Sequence, residues 1–446
     1  MSDPDRADGQ AAERSRIARG SAGLAAPPET NTLSSPVSPK RTPPVRTWLS
    51  LPELEPLDSI LPSEPVLLMG AGPVPIPHAV ARANGVVINH MGETMEHVVR
   101  NLKQMARYAF QTQADKIMGV GGPASAAMEM AVTNLLWPGR RCLCLRTGIF
   151  SNRLGEMAAA VGADVTYVEP ETGRPITADI VARALSSRRY DVVTIAQGET
   201  SCGVLNGELA EIASLAREHG ALSIVDAVVT LSTMPVDMDE WGLDAVVTGG
   251  QKGLASIPGV SLIAFSDRAW ETIRTRPKPP AHWCLDAARA QRFWGEHQYH
   301  YTAPVPGILA LYEALRLVCE EGLEARFERH RVSSLSLQAG LEAMGLSLFI
   351  PAKDRLNSVV AVKTPANVSS KEVLSYMSRK FRVEISGAFG LDIVRIGQMG
   401  EQCRSQNLFK VLYATGMSFR HFGVRLDVSE GMAALERALT REQEFE

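Results

Sequence analysis

The chain has 446 residues, a formal net charge of -3 and a pI of about 6.3, with 45% hydrophobic residues. That length fits two or three domains. The near-neutral charge excludes a surface built mainly for nucleic acid, and the absence of any run of 18 apolar residues excludes a membrane-spanning helix.

Residues 1–63 are dominated by Pro, Ser, Ala, Arg and Thr. Such a composition buries too little apolar surface to offset the entropy of ordering, so a disordered extension is expected, with Trp48, Leu49 and Leu51 docking on the body. Asp3, Asp5 and Asp8 are not followed by the apolar core of a signal peptide. The body is expected to divide into residues 64–308 and 309–446.

Val66-Leu67-Leu68-Met69 runs into Gly70-Ala71-Gly72-Pro73. Over 93–110, Met95, Val98, Val99, Leu102, Met105 and Ala106 recur at three and four, which predicts a helix. The strand-like run 117–120 meets Gly121-Gly122-Pro123-Ala124-Ser125, and a second helix is expected over 126–136. A glycine turn that opens a helix leaves free N–H groups and a positive dipole end, which is a phosphate site; an ordinary tight turn is the alternative. Residues 142–145, 165–168 and 192–195 continue the strand–helix alternation of a parallel sheet. Cys142 and Cys144 share one face of their strand. The six cysteines show neither zinc spacing nor a disulfide framework, which implies no metal site and a reducing, cytoplasmic setting.

Residues 222–225 read as a buried strand with Asp226 at its carboxyl edge. Residues 245–248 read as the next strand, ending in Gly249-Gly250-Gln251-Lys252, and 260–265 as another. Residues 274–280 form a basic, proline-rich loop. A long amphipathic helix is expected over 309–323, and His330 is expected on a solvated helix face. In Val394-Arg395-Ile396-Gly397 an arginine sits inside an apolar strand, where a guanidinium needs a partner.

Parallel sheets bind ligands outside the carboxyl ends of their strands, so Asp226 and Lys252 are expected at one rim of one sheet. Pyridoxal phosphate (PLP) chemistry needs such a pair: the lysine for the Schiff base, the carboxylate to keep the ring nitrogen protonated. A helix-capping Asp and a surface Lys are the plain alternatives.

From about Glu64 onward the chain resembles the class V PLP-dependent aminotransferases, in the alanine–glyoxylate and serine–glyoxylate (serine–pyruvate) branch. Val225-Asp226-Ala227-Val228 and Thr248-Gly249-Gly250-Gln251-Lys252 carry the likeness. It extends to Thr147-Gly148-Ile149-Phe150-Ser151-Asn152-Arg153, to Gln197-Gly198-Glu199-Thr200-Ser201-Cys202-Gly203, to Tyr299-His300-Tyr301-Thr302-Ala303-Pro304 and to the Arg395 strand. The resemblance implies fold type I: a large domain with a seven-stranded, mainly parallel sheet and a smaller C-terminal α/β domain. It implies PLP on Lys252, with Asp226 and Lys252 catalytic and Gln251 a further cofactor contact. Ala124 and Ser125 then offer backbone donors to the phosphate, Phe150 stacks on the ring, and Ser201 hydrogen-bonds it. Arg395, Ala71 and Gly72 meet the substrate carboxylate, and Tyr299 and Thr302 reach a neighbour's cofactor across a homodimer interface. The implied reaction moves an amino group from an α-amino acid such as alanine or serine to glyoxylate or pyruvate.

The sequence departs from the family at three places: Ala71 replaces a proline, Pro123 stands in the phosphate turn, and Gln197 stands where histidine is usual. Three rivals are pyridoxamine–pyruvate aminotransferase, whose phosphate turn carries a Glu absent here, a cysteine desulfurase, and a catalytically silent PLP-fold binding protein.

Overall fold

A computed structural model of the chain describes residues 49–443. The chain divides into two units between Ile60 and Leu61. In the first, the described residues are all exposed and include one helical turn, Leu57–Ile60. Leu49 and Leu51 are 98% and 82% exposed. Trp48 and the extension before it lie outside the described residues.

The second unit is built on seven strands. In chain order they are β1 (Lys116–Gly121), β2 (Arg141–Leu145), β3 (Asp164–Val168), β4 (Val192–Ala196), β5 (Leu222–Asp226), β6 (Ala245–Gly249) and β7 (Val260–Phe265). Their order across the sheet is β1-β7-β6-β5-β4-β2-β3. β7 runs antiparallel to both of its neighbours, and the other pairings are parallel. β4, β5, β6 and β7 are buried at every residue, as the continuous apolar runs require of a sheet covered on both faces. Seven strands with a mainly parallel order are the α/β architecture expected.

Helix α1 (Glu93–Phe110) buries Met95, Val99, Leu102, Ala106, Ala109 and Phe110 along one stripe and ends where Gln111 turns left-handed. Leu102 is fully buried, and such a side chain contributes about 1.5–3 kcal/mol. Helix α2 (Ala124–Leu135) follows β1, and α3 (Ile149–Ala160) follows β2. These helices and the sheet share one large apolar core.

Helices α4 (Val305–Glu321) and α5 (Leu323–Ala343) meet at Gly322. A second core gathers Met69, Leu337, Leu341, Val362, Val394, Ile396, Leu408 and Leu412. It lies against a three-stranded sheet of β8 (Val359–Lys363), β9 (Ser386–Gly387) and β10 (Ile393–Gly397), with β10 central and antiparallel to both neighbours. Helices α6 (Ser405–His421) and α7 (Val428–Gln443) complete the described chain.

His330 is not on a solvated face. It is fully buried in α5, with Nδ1 2.7 Å from the Arg326 carbonyl and Nε2 accepting from the Gly400 N–H at 3.0 Å. Burial, with Arg326 and Arg329 nearby, holds its pKa well below the ordinary value, so the ring is neutral with its proton on Nδ1.

Candidate active site

Five strand ends converge on one rim. β1 ends at Gly121, β2 leads through Arg146 into α3, β4 leads into Gln197, β5 ends on Asp226, and β6 leads into Gly250-Gln251-Lys252. Parallel pairing of β2, β4, β5 and β6 sends all four to the same side. The rim is the carboxyl edge at which open α/β sheets bind ligands.

Lys252 donates to the Ala71 carbonyl. Its amine is pushed down to about 8, first by burial and then by the Arg395 and Arg153 guanidinium groups, while Asp226 acts in the opposite direction. A large fraction of the amine is therefore neutral near pH 8, the form that can attack a carbonyl or take a proton. Gly72 makes the approach of the Ala71–Gly72 backbone to Lys252 feasible. It sits at φ +101°, and a Cβ there would come within 2.6 Å of Nζ and 2.7 Å of Cδ.

Asp226 is 5% exposed and accepts one hydrogen bond, from the Val228 N–H at 2.9 Å. Burial raises its carboxyl to about 7, the Val228 N–H opposes this, and Glu199 adds to it. A carboxyl so placed calls for a cationic N–H partner.

Beside Lys252, helix α2 opens after Gly122 and Pro123 with no side-chain cap. The Cβ of Ala124 and the side chain of Gln251 both lie against Gly249. Gln251 keeps Oε1 buried without a hydrogen-bond partner. A helix N-terminus without a cap suits an anion.

Glu199 is fully buried and binds both flanks of the site. Its Oε1 accepts from Phe150 N–H at 3.2 Å, Ser201 N–H at 3.1 Å and Ser201 Oγ at 2.5 Å. Its Oε2 accepts from Ser151 N–H at 2.9 Å and Ser151 Oγ at 2.8 Å. Arg395, 5% exposed, donates from Nη1 to the Thr200 carbonyl at 2.6 Å and from Nε and Nη2 to the Gly387 carbonyl at 2.9 and 2.5 Å. Arg153 stacks over the Phe150 ring at 4.8 Å. Ala71 donates its N–H to Ser386 Oγ at 3.0 Å.

Tyr299 is 58% exposed and Thr302 is exposed, so neither packs inside this subunit's site. Gln197 is buried, donating Nε2 to the Pro235 carbonyl at 3.1 Å, with Oε1 unpartnered. Nothing in the residue pattern alone marks Glu199 or Arg153 for a role. Both stood in the motifs quoted, but only the fold brings residues 150 and 199 together.

The sequence model of the Aminotransferase class-V family matches residues 78–405. This chain is a class V aminotransferase. An alanine–glyoxylate aminotransferase of Drosophila melanogaster is 34% identical over 374 residues, covering 81% of this chain and 95% of that protein. The crystal structure of a ureidoglycine–glyoxylate aminotransferase from Bacillus subtilis superposes with a TM-score of 0.81 at 30% identity, covering 85% of this chain and 99% of that one. A pyridoxamine–pyruvate aminotransferase structure from Mesorhizobium loti gives 0.81 at 26% identity, covering 85% and 98%.

Class V aminotransferases use PLP, and the residues present suit it. The site offers a half-buried amine with a depressed pKa, a buried carboxyl in need of a cationic N–H, and a free helix N-terminus for a phosphate. Cys202, next to Ser201, is buried, and its thiol is pushed up to about 12 by burial and by Glu199, which withholds the thiolate nucleophile.

Two pH effects follow for the cofactor-free aminotransferase. Lys252 should react with an added aldehyde with a midpoint near pH 8, against the ordinary lysine value of 10.5; the labelling rate across pH, with Lys252→Ala as blank, checks this. Asp226 keeps its proton up to about 7 when folded but loses it near 3.8 when unfolded. Its contribution to stability therefore falls as pH rises through that window. Asp226→Asn has no such proton, so its Tm advantage over wild type should grow between pH 4 and 8 in the cofactor-free protein.

Proposed function

We propose that the protein transfers an amino group from a small α-amino acid, alanine or serine, to glyoxylate or pyruvate. The observation that carries this reading is the conjunction of a neutralisable Lys252 amine with a buried Arg395 fork at one rim. Relatives named for glyoxylate transfer support the acceptor.

Lys252 and Asp226 would hold PLP, with Ala124, Ser125 and Gln251 at its phosphate end, Phe150 on its ring face and Ser201 at its edge. When bound, PLP supplies an electrophilic aldehyde and an electron-withdrawing ring. Asp226 holds a proton on the ring nitrogen. Arg395 binds the α-carboxylate through the edge of its planar fork not engaged by protein carbonyls, while Ala71 and Gly72 line the approach. Lys252, once its amine is free, would take the proton from Cα and deliver one to the cofactor carbon that carried the aldehyde (C4′), on the far side of the transferred nitrogen, as general base and acid. The buried rim keeps water from competing.

The turn Gly122-Pro123-Ala124-Ser125 carries no acid. It suits a phosphorylated cofactor and counts against free pyridoxamine as substrate. The exposed Tyr299 and Thr302 fit a homodimer in which they meet the partner's phosphate. Residues 64–308 would form the cofactor-binding domain and 309–446 the small domain, in a cytoplasmic enzyme.

Mixing wild-type protein with candidate amino acids and following loss of the bound-cofactor absorbance tests the reading. Lys252→Ala should show neither that band nor turnover, and a comparable rate in the variant would remove Lys252 from the mechanism. Arg395→Ala should lower kcat/KM for alanine or serine about a hundredfold or more, since two charged hydrogen bonds are lost. An amine lacking the α-carboxylate should be affected far less. Equal losses for both substrates would make Arg395 a structural residue.

A further inference from the structure

We propose that Glu199 is a positioning residue of the transfer reaction: it fixes the hydrogen-bond polarity of Ser201 and locks together the segments that carry Phe150 and aim Arg395. The proposal rests on the aminotransferase reading and assigns a role to a residue whose carboxylate is engaged by five protein donors.

Glu199 ends one arm of a two-residue hairpin, Gly198–Glu199 paired with Val204–Leu205. Its carboxylate enters the N-terminus of α3, where Gly148 leaves room for it. A Cβ on Gly148 would stand 2.6 Å from both Glu199 Cγ and Cδ and would collide with Ser201 Oγ. Helix α3 has no side-chain cap of its own at Gly148. Glu199 supplies the missing acceptor from 48 residues away, binding Ser151 N–H at 2.9 Å, and the helix dipole favours its negative charge.

Holding the helix end is only part of the arrangement. Ser201 Oγ has one proton and two lone pairs. The proton goes to Glu199 at 2.5 Å, and one lone pair takes the Ile149 N–H at 3.1 Å. What remains for the site is a lone pair, so Ser201 faces the cofactor as an acceptor. The preceding residue, Thr200, offers the carbonyl that receives Arg395 Nη1. Moving Glu199 would therefore free the Ser201 proton, loosen the turn that bears Phe150, and shift the carbonyl that orients the carboxylate-binding fork.

Glu199→Gln keeps the shape, but its NH2 end must face N–H donors. The expected result is a folded protein whose apo form binds PLP about tenfold more weakly or worse, with a raised KM for the amino donor. The deciding measurement is coupling. Ser201→Ala should weaken PLP binding in the wild-type background and have almost no further effect in the Glu199→Gln background, because the hydroxyl has already lost its fixed polarity. A folded Glu199→Gln protein with PLP Kd within twofold of wild type, or with independent, multiplying effects of the two changes, would overturn the proposal. Should Glu199→Gln fail to fold, Ser151→Ala removes only one donor from the same carboxylate. It should raise the PLP Kd several-fold and couple to Ser201→Ala in the same sense, and independent effects there would also overturn it. Failure of the underlying reading is distinguishable: wild-type protein would then take up no PLP, or would lose no cofactor absorbance with any amino acid.

Discussion

Three buried ionisable side chains, Glu199, Asp226 and Arg395, and the half-buried Lys252 share one rim of the sheet, and the site depends on how unequally they are satisfied. Burying a charge is costly unless hydrogen bonds or an opposite charge replace the water. Glu199 receives five donors and Arg395 makes three hydrogen bonds to carbonyls. Asp226 has one N–H, and Lys252 one carbonyl. The well-satisfied pair is held in fixed positions by its protein partners. The under-satisfied pair has its pKa values pushed toward neutrality, Asp226 up to about 7 and Lys252 down to about 8, which is where acid–base chemistry at ordinary pH operates.

That imbalance is maintained by packing on both sides. Below the rim, β5 and β6 are buried at every residue, so their last residues have little freedom. Above it, helix α5 is fastened to the loops carrying the functional groups. Arg326 donates to the Gly253 carbonyl at 2.7 Å, one residue beyond Lys252. Ser333 donates to Gln398 Oε1 at 2.5 Å, and Arg329 to the Gly400 carbonyl at 2.9 Å, just after the Arg395 strand. The two apolar cores are thus joined through polar contacts that end at the site. An ordered electrostatic environment set before substrate arrives is the larger part of what enzymes contribute to charge stabilisation.

Much of this was legible in the residues. The apolar runs ending in Asp226 and Gly249-Gly250-Gln251-Lys252 located two strands and the two groups at their ends, because fully buried parallel strands carry little but apolar residues. The helix over 93–110 followed from its spacing of three and four. The burial of His330 is not legible in the sequence because α5 buries serines and a histidine as well as leucines; Ser333, Ser334 and Ser336 are nearly or fully buried. Small hydroxyl side chains packed inward hide the buried face of α5 from any apolar count.

The sequence by itself determined the order of strands along the chain, the apolar runs that form them and the types of residue placed at their ends, since burial and periodicity act on neighbours in the chain. Only the tertiary structure decided that β7 runs against its neighbours, that Glu199 caps a helix 48 residues before it, and that the Thr200 carbonyl holds Arg395 from 195 residues away. Those arrangements depend on which buried donor finds which buried acceptor. The choice is made when whole elements pack, and no local pattern of residues encodes it.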